Sequence, residues 1–315
     1  MKKVTAKAPV NIALIKYWGK KNIEDIVPYN ASISISLDNL YTTTTLEESR
    51  TGFEFHLDGK LVTGSESDKV YDFLKYFSDE TKISNLKVNS TNYVPTAAGL
   101  ASSASGFAAL SLAANSYFET NYDFKELAKI TRKGSGSACR SLLGNIVAWE
   151  TSGEVYNITS PIRDFVMISV LIDKSKKNIS SREAMALSVD NSPLYGEYVV
   201  ESVKDFIEMK KALESGDYKL IGKLTKKSSL MMHGIMLSTY PPILYMDKTS
   251  IFIYNLMEEL SKQGIYANPT MDAGPNVKIL TTEKDYKKVM DSLESNGFMD
   301  YYISRLGEGA RLIEE

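Results

Sequence analysis

Histidine and cysteine are almost missing from this 315-residue chain, which holds two histidines, His56 and His233, and one cysteine, Cys139. A single cysteine excludes an intrachain disulfide framework and fits a reducing, cytoplasmic compartment. No His-x-x-x-His or Cys-x-x-Cys spacing exists, so a zinc-type centre is not expected. A Ser-His-Asp hydrolase would have to use one of the two histidines. His56 lies in an alternating, strand-like stretch and His233 follows Met231-Met232 in a helical one. Both read as packed or solvated side chains rather than catalytic ones. No run of about 18 apolar residues occurs, so no membrane span is expected. Met1-Lys2-Lys3 is charged but lacks the apolar stretch of a secretory signal. Neither charge sign dominates, with 37 basic against 39 acidic residues, so there is no basic field for nucleic acid. Linkers, repeats and low-complexity tracts are also missing.

What is present is ordinary in bulk: 43% hydrophobic and 24% charged residues, enough for a large core in one big or two intimate domains. Ser32-Ile33-Ser34-Ile35-Ser36-Leu37 alternates with period two, as a strand does. Phe53 to Leu57 alternates again, and Asp58-Gly59 is a hairpin turn signal. Asp123-Phe124-Lys125-Glu126 fits a capping box opening a helix. The first sixty residues read as strands, and Ser67 to Phe77 has helical spacing. Helices dominate residues 181–263, with breaks at Asn191-Ser192-Pro193 and Tyr240-Pro241-Pro242. Tyr301-Tyr302-Ile303 reads as a last strand. Strands then helices, without regular alternation, predict an α+β fold. The expected division is residues 1–170 and 171–315, each α+β.

Three small-residue segments and one aspartate carry the chemistry. Pro95-Thr96-Ala97-Ala98-Gly99-Leu100-Ala101-Ser102-Ser103-Ala104-Ser105-Gly106 lets a backbone pass close to phosphate oxygens and leads into a helix N-terminus. It lacks the Gly-Lys-Ser/Thr ending of a Walker A loop, and an Ala-packed helix junction would look the same. Gly134-Ser135-Gly136-Ser137-Ala138-Cys139-Arg140-Ser141 offers hydroxyls and a guanidinium fork for phosphate or carboxylate, or else a polar turn. In Met271-Asp272-Ala273-Gly274-Pro275-Asn276 the aspartate is either catalytic or a turn former. Lys16-Tyr17-Trp18-Gly19-Lys20 gathers two cations and a phenol, or is an amphipathic strand with solvated lysines.

Together these blocks resemble the diphosphomevalonate decarboxylase family, within the superfamily of galactokinase, homoserine kinase and mevalonate kinase. Ala8-Pro9-Val10-Asn11-Ile12-Ala13-Leu14-Ile15 with the Lys16–Lys20 segment is similar to the family's opening signature. The three segments above resemble its later blocks, in order, and Lys176-Lys177-Asn178-Ile179-Ser180-Ser181-Arg182 resembles a substrate-side loop. The resemblance runs from residue 8 to near residue 311. It departs at Glu183-Ala184, where family members usually carry Asp-Gly, which bears on closure of that loop.

The resemblance implies a two-lobed small-molecule-kinase fold with a ligand cleft between the lobes. It implies ATP-dependent decarboxylation of mevalonate 5-diphosphate, with Mg²⁺ carried mainly by ATP phosphates and no protein metal ligands assigned, in a homodimer. By position, it implies catalytic roles for Asp272, Arg140 and Lys20. Tyr17, Lys20, Ser135, Ser137, Ser181 and Arg182 would bind the diphosphate, Arg140 the carboxylate, and Asp272 would face the 3-hydroxyl beside Ala273. Ser90 and Asn92 would lie at the nucleotide base, and Ala98, Gly99, Leu100, Ala101, Ser102, Ser103 and Ser105 around its phosphates. A kinase of the same superfamily would stop before loss of carbon dioxide. A silent ligand sensor would have no need of Lys20, Ser102, Arg140 and Asp272 together.

Overall fold

A computed structural model describes residues 2–22, 24, 26–94, 102–173 and 179–313. The first half contains β1 (Lys3–Ile15), β2 (Lys20–Asn22), β3 (Val27–Pro28), β4 (Ser32–Glu48), β5 (Glu54–Leu57), β6 (Lys60–Val62), α1 (Ser65–Leu74), α2 (Glu80–Ile83) and β7 (Leu86–Tyr93). It continues with α3 (Ser102–Tyr117), α4 (Phe124–Gly134), α5 (Ala138–Ser141), β8 (Ile146–Trp149) and β9 (Val155–Asn157). The second half contains β10 (Phe165–Val170), α6 (Ser181–Asn191), α7 (Tyr195–Ser215), α8 (Tyr218–Leu237), α9 (Lys248–Lys262), β11 (Asn268–Met271), β12 (Val277–Thr282), α10 (Tyr286–Ser295), β13 (Tyr301–Arg305) and β14 (Arg311–Ile313). No helix among the described residues is long and apolar enough to cross a membrane.

Local chemistry sets several boundaries as the sequence suggests. Asp58 and Gly59 both take positive φ (51° and 77°), which closes the β5–β6 hairpin. The Asp123 side chain accepts from the Glu126 N–H, and Glu126 reaches back to the Asp123 N–H, capping α4 reciprocally.

Eight strands form one sheet along the path β14-β1-β4-β7-β5-β6, with β8 on β4 and β9 on β8; all pairs are antiparallel except β5–β7. The second sheet runs β11-β12-β10-β13, wholly antiparallel. On one side of the large sheet, α1, α3 and α4 bury Phe73, Phe107, Ala109, Leu127 and Trp149. Towards its other side, Ile12, Leu14, Ile33 and Ile35 meet Phe206 and Met209 of α7, Leu224 of α8, and Met167 and Leu280 of the second sheet. The far face of that second sheet is covered by α9 and α10 through Ile253, Met257, Val289 and Leu293. The result is an α+β architecture of two sheets, each with its own helices, that share one core.

Two expectations change. The Lys16–Lys20 segment is not a strand with solvated lysines: β1 ends at Ile15, and Lys16, Tyr17 and Trp18 are all buried. Gly19 makes the turn at φ 102°, where a Cβ would collide with the Tyr195 hydroxyl. Nor is Tyr301–Arg305 the last strand. Arg311–Ile313 returns to the large sheet and pairs with Thr5–Lys7 of β1.

Candidate active site

The sequence alternation in β4 has an unusual use. Its isoleucines point into the core shared with α7 and α8, but its serines are buried as well. Ser32 Oγ accepts from Arg140 Nη1 at 2.6 Å and Ser34 Oγ from Arg140 Nε at 3.0 Å. Asn11 Oδ1, from β1, accepts from Nε at 3.3 Å and Nη2 at 3.2 Å. Asn11 in turn donates to Ser141 Oγ at 2.8 Å and to the Ser137 carbonyl at 3.2 Å, tying α5 to the sheet. Arg140 is 3% exposed, yet every one of these partners is neutral. Burial disfavours its charge, and the Asp272 carboxylate is among the groups that favour it. Such a guanidinium is held in a fixed orientation with its countercharge still to come.

Asp272 follows β11 and keeps 27% of its side chain open, while both lysines that grip it are 2% exposed. Lys16 Nζ donates to Oδ1 at 2.8 Å, and Lys278 Nζ lies 3.4 Å from Oδ2. Burial by itself would raise the Asp272 pKa, but the two ammoniums together outweigh it and hold the group well below the usual carboxylate range. Burial likewise lowers Lys16, opposed by Asp272 and reinforced by Lys278 and Arg140. Helix α8 supports this centre from behind. Ser228 Oγ accepts from the Lys16 N–H at 2.9 Å, and Ser229 Oγ from the Met271 N–H at 2.8 Å. His233 is buried and hydrogen-bonds the Asp272 backbone; burial, with Lys16 nearby, pulls it down to about 4, so it is neutral. It is a packed histidine, as the sequence suggests.

A cationic rim lies nearby. Lys20, at the start of β2, is lowered by burial and by Arg182. Lys69, on α1, is solvent-exposed with its ammonium 4.5 Å from the Phe107 ring centre; partial desolvation there, then Arg182 and Lys20, lower it to about 8. Tyr17 stacks obliquely on Trp149 with ring centres 4.7 Å apart, and its buried hydroxyl has no partner among the described residues. A Cβ on Gly136 would touch that hydroxyl, so the glycine keeps the 134–141 segment close.

The remaining sequence-derived residues are placed as follows. Ser135 caps the end of α4 and its Oγ is 3.3 Å from Ser103 Oγ, while Ser137 precedes α5. Ser181 opens α6 behind the capping Ser180, and Arg182 beside it is exposed. Ala273 is buried against the cluster holding Trp18, Tyr195 and Met232. Ser102 and Ser103 stand exposed on the first turn of α3. Ser105 faces inward and shares a 2.8 Å hydrogen bond with Thr42, which donates to Asn92 at 2.9 Å. Asn92 also binds Asp58, and Ser90 pairs with Thr44 at 2.9 Å. Ala98, Gly99, Leu100 and Ala101 lie outside the described residues, as do Lys174 to Asn178. Sequence reasoning missed Lys278, Lys69 and the α8 serines. No motif surrounds any of them in the sequence.

A part-open carboxylate between two buried lysines, a guanidinium whose hydrogen-bond partners among the described residues are neutral, and a cationic rim together suit a polyanionic substrate with its own carboxylate. Comparison with known proteins agrees in detail. Residues 8–160 match the diphosphomevalonate decarboxylase-like N-terminal domain, and residues 166–304 match the mevalonate 5-diphosphate decarboxylase C-terminal domain. The diphosphomevalonate decarboxylase of Candida albicans is 38% identical over 93% of this chain and 88% of its own. That of Danio rerio is 36% identical over 90% of this chain and 76% of its own. The mevalonate diphosphate decarboxylase structure from Staphylococcus aureus superposes with a TM-score of 0.94 at 35% identity, covering 99% of this chain and 98% of that one. A structure in complex with MVAPP, AMPPCP and magnesium gives 0.92 at 36% identity, covering 99% of both chains. Matched along nearly its whole length in sequence and in three dimensions, the chain belongs to the diphosphomevalonate decarboxylase family.

Proposed function

We propose that this chain converts mevalonate 5-diphosphate and ATP to isopentenyl diphosphate, ADP, phosphate and carbon dioxide. The observation that carries the reading is the Asp272 carboxylate, held ionised between Lys16 and Lys278 near a buried Arg140 whose hydrogen-bond partners among the described residues are all neutral.

A β-hydroxy acid loses carbon dioxide only if its hydroxyl can leave. Transfer of the γ-phosphoryl of ATP to the tertiary oxygen makes it a leaving group, and the hydroxyl proton passes to a phosphate oxygen. The C–O bond then breaks with its electron pair going to phosphate. The C–C bond to the carboxylate breaks next, and its pair becomes the alkene. Asp272 faces the hydroxyl in this scheme. With two lysines depressing its basicity it is a poor proton acceptor, so its work is to orient the alcohol and to stabilise positive charge developing at the tertiary carbon. Arg140 holds the substrate carboxylate until it departs. Lys20, Lys69 and Arg182 attract the diphosphate, joined by Tyr17, Ser135, Ser137 and Ser181. Ser90 and Asn92 are assigned to the base, and the segment from Ala98 to Ser105 to the nucleotide phosphates.

Among the described residues no group of three or more His, Cys, Asp or Glu could cage a metal. That donor set suits Mg²⁺ carried by nucleotide phosphates with one or two protein oxygens, for which the exposed Ser102 and Ser103 hydroxyls are available. The ion would neutralise charge on the transferring phosphoryl. The reading also takes residues 1–170 and 171–315 as the two lobes, with β10 and β14 crossing between them, β10 into the second sheet and β14 into the first, the active form as a homodimer and the site of action as the cytoplasm. Sedimentation would test the dimer.

The deciding measurement is ADP and carbon dioxide release with mevalonate, its 5-phosphate and its 5-diphosphate in turn. Equal release of both from the diphosphate is expected. ATP consumption without carbon dioxide would assign a kinase, and no turnover with any of the three would sink the reading.

A further inference from the structure

Lys278 is an improbable residue for the middle of a sheet. Its cross-strand neighbours are Ser169 and Thr270, so its stem shares the face on which Met167 and Leu280 are packed. A methionine would fit that face without a charge. Burying an ammonium is costly unless it is well paired, and here the pairing is redundant. Lys16 already satisfies Asp272 Oδ1 at 2.8 Å. Lys278 adds a second cation at 3.4 Å from Oδ2, with the Asn276 carbonyl at 3.3 Å as its other contact. The centre therefore holds more positive than negative charge even before Arg140 is counted, so Lys278 is not needed for neutrality.

Its geometry has a different consequence. One contact fixes one oxygen and leaves the carboxylate free to rotate about Cβ–Cγ. Contacts on both oxygens fix its plane, and with it the direction in which the open edge of Asp272 can accept a hydrogen bond. We propose that Lys278 is a positioning residue for Asp272, fixing the rotation of its carboxylate and keeping it ionised while the tertiary alcohol is bound. This rests on the assignment of Asp272 to that alcohol. The need arises when phosphoryl oxygens and a substrate carboxylate crowd the same space, since each added anion favours protonation of Asp272.

The groups facing Asp272 are Lys16 just after β1, Lys278 from β12, Arg140 from α5, His233 from α8 and Tyr254 from α9. Burial keeps His233 and Tyr254 in their neutral forms, which leaves three cations. Removing Lys278 takes away one of the two in direct contact. Asp272 then titrates at higher pH, and an acid limb in kcat moves upward with it.

The test is Lys278→Met, read in two ways. Carbon-13 NMR of the free enzyme labelled at aspartate carboxyls, with Asp272→Asn to assign the signal, should show Asp272 protonating at a proton concentration about tenfold or more lower than in wild type. Steady-state kinetics should show kcat down about 10- to 100-fold with KM nearly unchanged, the sign of a loss felt in the transition state. Lys278→Arg should restore the titration. An unchanged carboxyl titration and kcat, with only a lower Tm, would overturn the proposal and leave Lys278 a structural ion. If Lys278→Met fails to fold, Lys278→Gln is read the same way; failure of both to fold also overturns it. A wild type that titrates as expected but releases no carbon dioxide from mevalonate 5-diphosphate would sink the functional reading alone.

Discussion

The Asp272 centre and the Lys20–Lys69–Arg182 rim use positive charge in opposite ways. At Asp272 both lysines are paired, buried and aimed, so the geometry exists before any ligand arrives. At the rim no carboxylate pairs with any of the three cations among the described residues, and Lys69 and Lys20 are lowered first by burial and then by their mutual repulsion with Arg182. Paired charge gives order at the expense of attraction, while unpaired charge gives attraction and leaves its order to the ligand. Arg140 combines the two, since neutral partners fix its fork without cancelling its charge.

That contrast predicts different kinetic signatures. The largest effect is expected from Asp272→Asn, which should lower kcat for carbon dioxide release by about 10²- to 10³-fold, the loss of one group that stabilises transition-state charge. It should also lower Tm, because Lys16 and Lys278 lose their counter-charge. A variant with near wild-type kcat would show that the ordered centre is structural. Arg140→Lys comes next, with kcat/KM down by about 10- to 100-fold, since an ammonium cannot serve Ser32, Ser34 and a carboxylate in one plane. Equal kcat/KM for the two enzymes would reduce Arg140 to a point charge. Lys69 should give a smaller effect, confined to binding. Its pKa of about 8 means that the cation is lost as pH rises through that value. KM for the diphosphate should then climb above pH 8 at constant kcat, and Lys69→Arg should abolish the climb. A pH-independent KM in wild type would remove Lys69 from the rim. The smallest effect is that of salt. Exposed Arg182 is screened and the centre is not, so KM should rise a few-fold between low and moderate ionic strength while kcat holds. A kcat that falls in parallel would blur the distinction.

The features legible in the sequence were those whose chemistry is local. The Asp58-Gly59 turn and the Asp123 capping box are complete within four residues, and the small-residue segments mark themselves by composition. Ser32 to Leu37 was half legible. Its period gave a strand, but nothing in the serines told of a guanidinium behind them, because Arg140 is more than a hundred residues away. Lys16 resembled a solvated lysine for the same reason: its partner is Asp272, brought to it by β11 and α8. Lys69 and Lys278 were illegible, each being one cation among 37 basic residues with no motif around it. Arg311–Ile313 was too short, and too polar at one end, to be read as a strand without β1 beside it.

That short final pairing has a mechanical meaning. Thr5 lies opposite Ile313 and Lys7 opposite Arg311, so both ends of the described chain leave the ladder on the same side. Tension applied through the two ends would load the β1–β14 hydrogen bonds one after another instead of all together, peeling them apart as a zipper opens. In a single-molecule pulling experiment the first event should be a short, low-force extension as β14 peels away, followed by a much stiffer response as the load reaches the long β1–β4 pair. A single high-force rupture with no early step would show that the ends are held by more than this ladder.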